Sequence, residues 1–166
     1  MLVISILMLG IVSRLVVHLP DFTPIIALAL FRGAYLQKKY ALIVPLLLML
    51  ITDVILGFHN TMFFTWGSIF LISFLGMKLM EKKNFMNGLC SSLASVLIFF
   101  VITNFGVWLV SGMYAHTWQG LTDCFVLALP FLKNSLFSTL IYTALLFGAY
   151  EFAAARLKST RFAHVL

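Results

Sequence analysis

The chain has little charge. Only 10% of its 166 residues are Asp, Glu, Lys or Arg, against 63% hydrophobic residues and a mean hydropathy of +1.10. A soluble domain of this length cannot hide so much apolar surface in one core. The composition therefore argues against a water-surrounded globule and points to lipid as the solvent. Acidic residues are scarcer still, five against eleven Lys and Arg, for a net charge of +6. Such an excess can signal nucleic acid, but these cations stand at the ends of apolar runs. There they set topology against a cytoplasmic membrane surface, and no nucleic-acid partner is expected.

Cysteine is limited to Cys90 and Cys124, in apolar or near-apolar contexts without metal-ligand spacing. Both read as small packing residues rather than as a disulfide or a reactive thiol. The four histidines, His18, His59, His116 and His164, offer no pair at i, i+4, so a metal centre is not expected. Enzyme signatures are missing: there is no G-x-S-x-G, no H-E-x-x-H, no P-loop and no paired-carboxylate motif. The reading is of a non-enzyme without a cofactor and without an ATPase of its own, energised by a partner or an ion gradient. The first nineteen residues lack a basic leader and a clean small-residue cleavage site, as expected of a retained helix.

What is present is a succession of apolar runs. About twenty residues span a bilayer, so this length allows roughly six passes with short connections. The expectation is an all-α, polytopic integral membrane protein in one transmembrane domain, 1–166, with spans at 2–19, 24–36, 40–58, 63–80, 87–110 and 131–155. A short interfacial helix is expected at 121–129. Thr23 and Pro24 open the second span as N-cap and first helical residue. Ala29 and Gly33 form a small-xxx-small pair suited to close helix packing or docking in lipid. Pro45 falls inside the third span, where neighbouring helices can satisfy the freed carbonyl.

Orientation follows from charge. With the amino terminus cytoplasmic, the inner ends hold Arg32, Lys38, Lys39, Lys78, Lys82, Lys83, Arg156, Lys158 and Arg161, nine of the eleven cations. The positive-inside rule then places both termini in the cytoplasm. At about 1.5 Å of rise per residue, Arg14 and Asp53 reach roughly 20 Å from the inner face, and Asn104 lies a little higher. Lys133 and Asn134 open the last span from outside. The polar groups thus gather in the outer half.

An intramembrane charge faces either a partner or a cavity. Arg14 and Asp53 could be an ion pair fastening two helices, with Lys133 snorkelling to headgroups. Alternatively they belong to an outward pocket closed by His59, Asn60 and the loop from Tyr114 to Gln119. The candidate binding residues are Arg14, Asp53, His59, Asn60, Asn104, Trp108, Trp118, Lys133 and Asn134. Arg14 and Lys133 suggest an anionic or carbonyl-rich ligand. Trp66, Trp108, Tyr114 and Trp118 fit an aromatic belt, or a stacking surface for a flat ligand.

Several segments carry a resemblance: 18–24 (HLPDFTP), 29–35 (ALFRGAY), 53–59 (DVILGFH), 103–108 (TNFGVW), 112–114 (GMY), 117–120 (TWQG) and 128–131 (ALPF). In these the chain resembles an uncharacterised bacterial family of proposed transport proteins. That family is in turn loosely similar to the substrate-binding S components of energy-coupling-factor transporters. The resemblance implies a six-helix bundle in the bacterial inner membrane that captures a vitamin or trace nutrient near its outer face. It also implies a transmembrane coupling subunit driven by ATPases as partner. Two further readings stay open: a non-transporting assembly or scaffold protein, and a membrane enzyme acting on lipid.

Overall fold

The computed structural model describes residues 12, 21–35, 38–79 and 85–157. Six helices carry these residues, with no strand among them: α1 Ile25–Tyr35, α2 Lys38–Leu56, α3 Met62–Leu79, α4 Phe85–Val110, α5 Trp118–Leu127 and α6 Leu129–Leu157. The span expected at 2–19, and Arg14 and His18 within it, lies outside the described residues, as does His164.

Two helices contain stretches long and apolar enough to cross a membrane, Met86–Val110 in α4 and Leu129–Phe152 in α6. The apolar parts of α2 and α3, Ile43–Leu56 and Met62–Lys78, are shorter. With 11 residues, α1 is about 16 Å long, roughly half the ~30 Å of a hydrocarbon core, so it does not form the full span expected at 24–36.

Local chemistry sets the ends. The Pro24 carbonyl accepts from Leu28 N at 2.7 Å, which makes Pro24 the residue flanking α1 rather than its first turn. Gly57, at φ +99°, closes α2 in a left-handed turn, its N–H donating to Asp53 O at 2.9 Å. Thr117 is the N-cap of α5, extended at φ −127° and ψ 165°, so that helix starts three residues earlier than the sequence pattern suggests. Ala128 then serves two helices. Its N–H caps α5, and its carbonyl accepts from Phe131 and Leu132 at the start of α6. Pro130 sits in that first turn, where its missing N–H leaves nothing unsatisfied.

From Ile25 to Phe31 every residue of α1 is buried, Ala27 and Ala29 completely. It is surrounded by α2, α3, α4 and α6, and its most extensive contact is with α3. Ala29 thus serves close packing; Gly33 lies on the same helix, and its surroundings are not described. The bundle is otherwise inverted in polarity. Ile43, Leu47, Leu50, Ile51 and Val54 face out from α2, as do Leu93, Leu97, Val101, Phe105 and Leu109 from α4. Thr52, Ser68, Ser73, Ser91, Ser92, Ser95, Ser138 and Thr139 face in. Cys90 joins the exposed face of α4, so the packing role expected from sequence holds only for Cys124, which is buried.

Most inward hydroxyls bond to their own helix: Thr52 Oγ1 to Leu48 O at 2.9 Å, Ser73 Oγ to Ile69 O at 2.9 Å, and Ser92 Oγ to Gly88 O at 2.9 Å. Ser92 also reaches Thr143 Oγ1 at 3.3 Å, joining α4 to α6. Ser95 Oγ and Thr139 Oγ1 are buried without a hydrogen-bond partner among the described residues. A valine at 139 keeps the shape and removes the orphan hydroxyl. Thr139→Val should therefore raise stability by about 1 kcal/mol, read as thermal unfolding in detergent. A lower unfolding temperature would mean that the hydroxyl holds a partner, such as a buried water.

Candidate functional site

The helix ends sort by chemistry. The turn at Asp21, the loop 57–61, the loop 111–117 and the α5–α6 junction meet at one end of the bundle. Lys38, Lys78 and Arg156 belong to helix ends at the other. At the first of these ends is a cavity of about 510 Å³. That lies within the range of roughly 300–1,000 Å³ usual for small-molecule sites.

Every described helix contributes to it. Thr23 and Ile26 enter from the start of α1, Met49 from α2, Thr65 from α3, Cys124 and Leu127 from α5, and Phe131 and Ser135 from α6. From α4 come Phe99, Thr103, Asn104 and Val107, one face at i, i+4, i+5 and i+8. The loops add Asp21, His59, Met113 and Tyr114.

The polar groups have defined roles. Thr103 Oγ1 donates to Phe99 O at 2.8 Å, and Asn104 Nδ2 to Phe100 O at 2.8 Å. Cys124 Sγ lies 3.4 Å from Asn104 O, which ties α5 to α4. Burial pushes the Cys124 thiol above its usual pKa, so it stays protonated at neutral pH. His59 Nδ1 is 2.9 Å from Thr61 Oγ1. Asp21 adopts φ +56°, a left-handed conformation open to Asp and Asn. Its carbonyl oxygen is 3.4 Å from Ser135 Oγ, a long contact that fastens the turn to α6. Asp21 keeps part of its surface exposed, and desolvation of the rest pushes its carboxyl above the usual range.

The mouth is braced by aromatic groups. Trp108 Nε1 donates to Ala115 O at 3.0 Å, and its ring meets His116 edge-on, with centroids 5.4 Å apart. Gly112, at φ +72°, turns the chain towards Met113 and Tyr114.

Of the residues expected at a site, His59 and Asn104 line this cavity. Asp53 does not: it is 1% exposed and accepts from Trp66 Nε1 at 2.7 Å, between α2 and α3. That bond gives Trp66 a fastening role between α2 and α3. Asn60 is exposed, Trp118 is 84% exposed, and Trp108 braces the loop. Lys133 is exposed and Asn134 half-buried, both outside the lining. Phe131 and Ser135 share a face of α6, and position 133 lies about 200° round from 131. Depth along the helix was readable for these residues, but the face they occupy was not. Asp21, Thr23, Thr65, Thr103 and Ser135 were missed as lining residues. The turn signal of Pro20 and Asp21 and the hydroxyl pattern were visible, but nothing in one sequence aims them inward.

Among the described residues no three His, Cys, Asp or Glu side chains converge as metal ligands. No curated protein and no solved structure matches this chain. A family model does match, over residues 1–161, and by that match the chain belongs to the family of unknown function DUF6580.

Proposed function

We propose that this protein is a multi-pass membrane protein that captures a small solute in the cavity between the loops and passes it inward. The observation carrying this reading is the cavity itself, which opens among the loops and draws residues from every described helix. The inverted polarity of α2 and α4 supports the membrane setting, because large apolar side chains on the outside and hydroxyls inside suit lipid. The basic clusters belong to the bundle end opposite the cavity, so the positive-inside rule puts the cavity on the outer side and both termini in the cytoplasm. The bacterial inner membrane is the setting that the resemblance implies. With no P-loop in the chain, energy comes from a partner, which the resemblance to energy-coupling-factor S components makes a coupling subunit with ATPases.

The test is to purify the protein in mild detergent and identify co-purifying small molecules by mass spectrometry. Val107 lines the cavity, and Val107→Trp fills it from α4. A molecule retained by the natural protein and lost from this variant, at an unchanged unfolding temperature, is the expected result. The same retained molecules in both proteins would overturn the reading, as would release of the protein from membranes by alkaline carbonate.

A further inference from the structure

The polar lining of the cavity is unbalanced in charge. Asp21 contributes a carboxyl group, and among the described residues no lysine or arginine lines the space; His59 is the nearest to a cation. Lys133, which as a candidate pointed to an anionic ligand, is exposed outside the lining. Three aromatic residues, Phe99, Tyr114 and Phe131, line the same cavity. A π-face attracts a cation, so rings and carboxyl favour the same sign of ligand. The rest of the lining is mainly apolar and includes Met49 and Met113, whose unbranched side chains adapt to a flat or irregular body.

Resting on the reading of this cavity as a solute site, we propose that its ligand is a small amphipathic cation, an ammonium or similar protonated nitrogen on an aromatic or apolar body, with Asp21 as its counter-charge. The partly desolvated state of the Asp21 carboxyl agrees with this. A carboxylate partly shielded from water, with no lysine or arginine facing it among the described residues, is held at a cost that an incoming ammonium offsets. An anionic solute would instead meet that carboxyl with no lysine or arginine among the described lining residues to offset the repulsion.

Three probes with one indole body separate the possibilities: tryptamine (ammonium), tryptophol (hydroxyl) and indole-3-acetate (carboxylate). Their affinities are measured at neutral pH by calorimetry on the purified protein, in maltoside free of amine-bearing lipid. Tryptamine should bind about tenfold or more tighter than indole-3-acetate. In Asp21→Asn that preference should fall to within about threefold, with tryptophol affinity unchanged. Asparagine accepts the φ of +56° at position 21, so the turn survives the change. Equal or tighter binding of the acid, an unchanged preference in Asp21→Asn, or binding of none of the three would overturn the proposal. Displacement of tryptamine by added phosphatidylethanolamine would also overturn it, by assigning the ammonium site to a lipid headgroup. The solute-site reading fails separately. An uncharged or anionic molecule that co-purifies and is lost in Val107→Trp would leave that reading standing and remove only the cationic ligand.

Discussion

Gly120→Ala is expected to dismantle the cavity mouth and abolish ligand retention. Gly120 sits in the first turn of α5 and is buried against the backbone of Ala115. A Cβ there would fall on the Ala115 carbonyl oxygen and stand 3.1 Å from the Ala115 N. The obstacle is main chain, which has no rotamer to move to. The loop must shift, and with it three dependent contacts: the Thr117 cap on Gly120 N at 3.1 Å, the turn from Thr117 N to Ala115 O at 2.8 Å, and the Trp108 bond to the same carbonyl. Tyr114 and Met113, both lining residues, belong to this loop. Losing a cap and a side-chain hydrogen bond along with the close packing should cost about 3 kcal/mol. Thermal unfolding reads the stability, and mass spectrometry of retained small molecules reads the site. Gly88→Ala is the control, because a Cβ there meets nothing within 4 Å and alanine favours a helix. A Gly120→Ala protein as stable as the control, with its ligand in place, would show that the close approach to Ala115 is not needed.

The same loop illustrates what the sequence does and does not reveal. Helix order and the loops at 57–61 and 111–117 follow from apolar runs broken by glycine and polar residues, and the helix ends at α2, α3 and α4 fall within about two residues of the breaks. The α5 boundary was harder, because Thr117 is a cap only if Gly120 can come close beneath it, a tertiary fact. Facing is harder still. In a water-soluble helix the apolar stripe marks the inside; here Leu97 and Val101 face out while Ser92 and Ser95 face in. Depth along a helix could be counted at 1.5 Å per residue, and it placed Asn104 and His59 at the cavity level. It placed Lys133, Asn134 and Asp53 there as well, and those turn elsewhere.

Asp53 is where depth and face diverge with the largest energetic consequence. Its carboxyl oxygen accepts from Trp66 Nε1 at 2.7 Å, short for such a bond, and joins α2 to α3 one turn before the loop that carries His59. Asp53→Leu removes the acceptor and leaves the indole N–H in a half-buried place without it. The expected loss is about 3 kcal/mol, because breaking one side of a buried polar pair strands the other. Asp53→Asn keeps an acceptor of the same reach and should lose about 1 kcal/mol. Removing both partners, as Asp53→Leu with Trp66→Phe, should recover part of the loss of the single leucine variant. That recovery would appear as a coupling of 1 kcal/mol or more in a double-mutant cycle of thermal unfolding, within the range of roughly 0.5–3 kcal/mol for residues in contact. Additive losses would mean that the bond contributes nothing beyond its parts. Ligand retention separates this fastening role from a binding role. With Asp53 outside the cavity, the Asp53→Asn protein should keep its co-purifying molecule while its unfolding temperature falls. The reverse outcome, unchanged stability with the molecule lost, would return Asp53 to the site and shift the counter-charge for a cationic ligand from the turn at Asp21 to the last turn of α2.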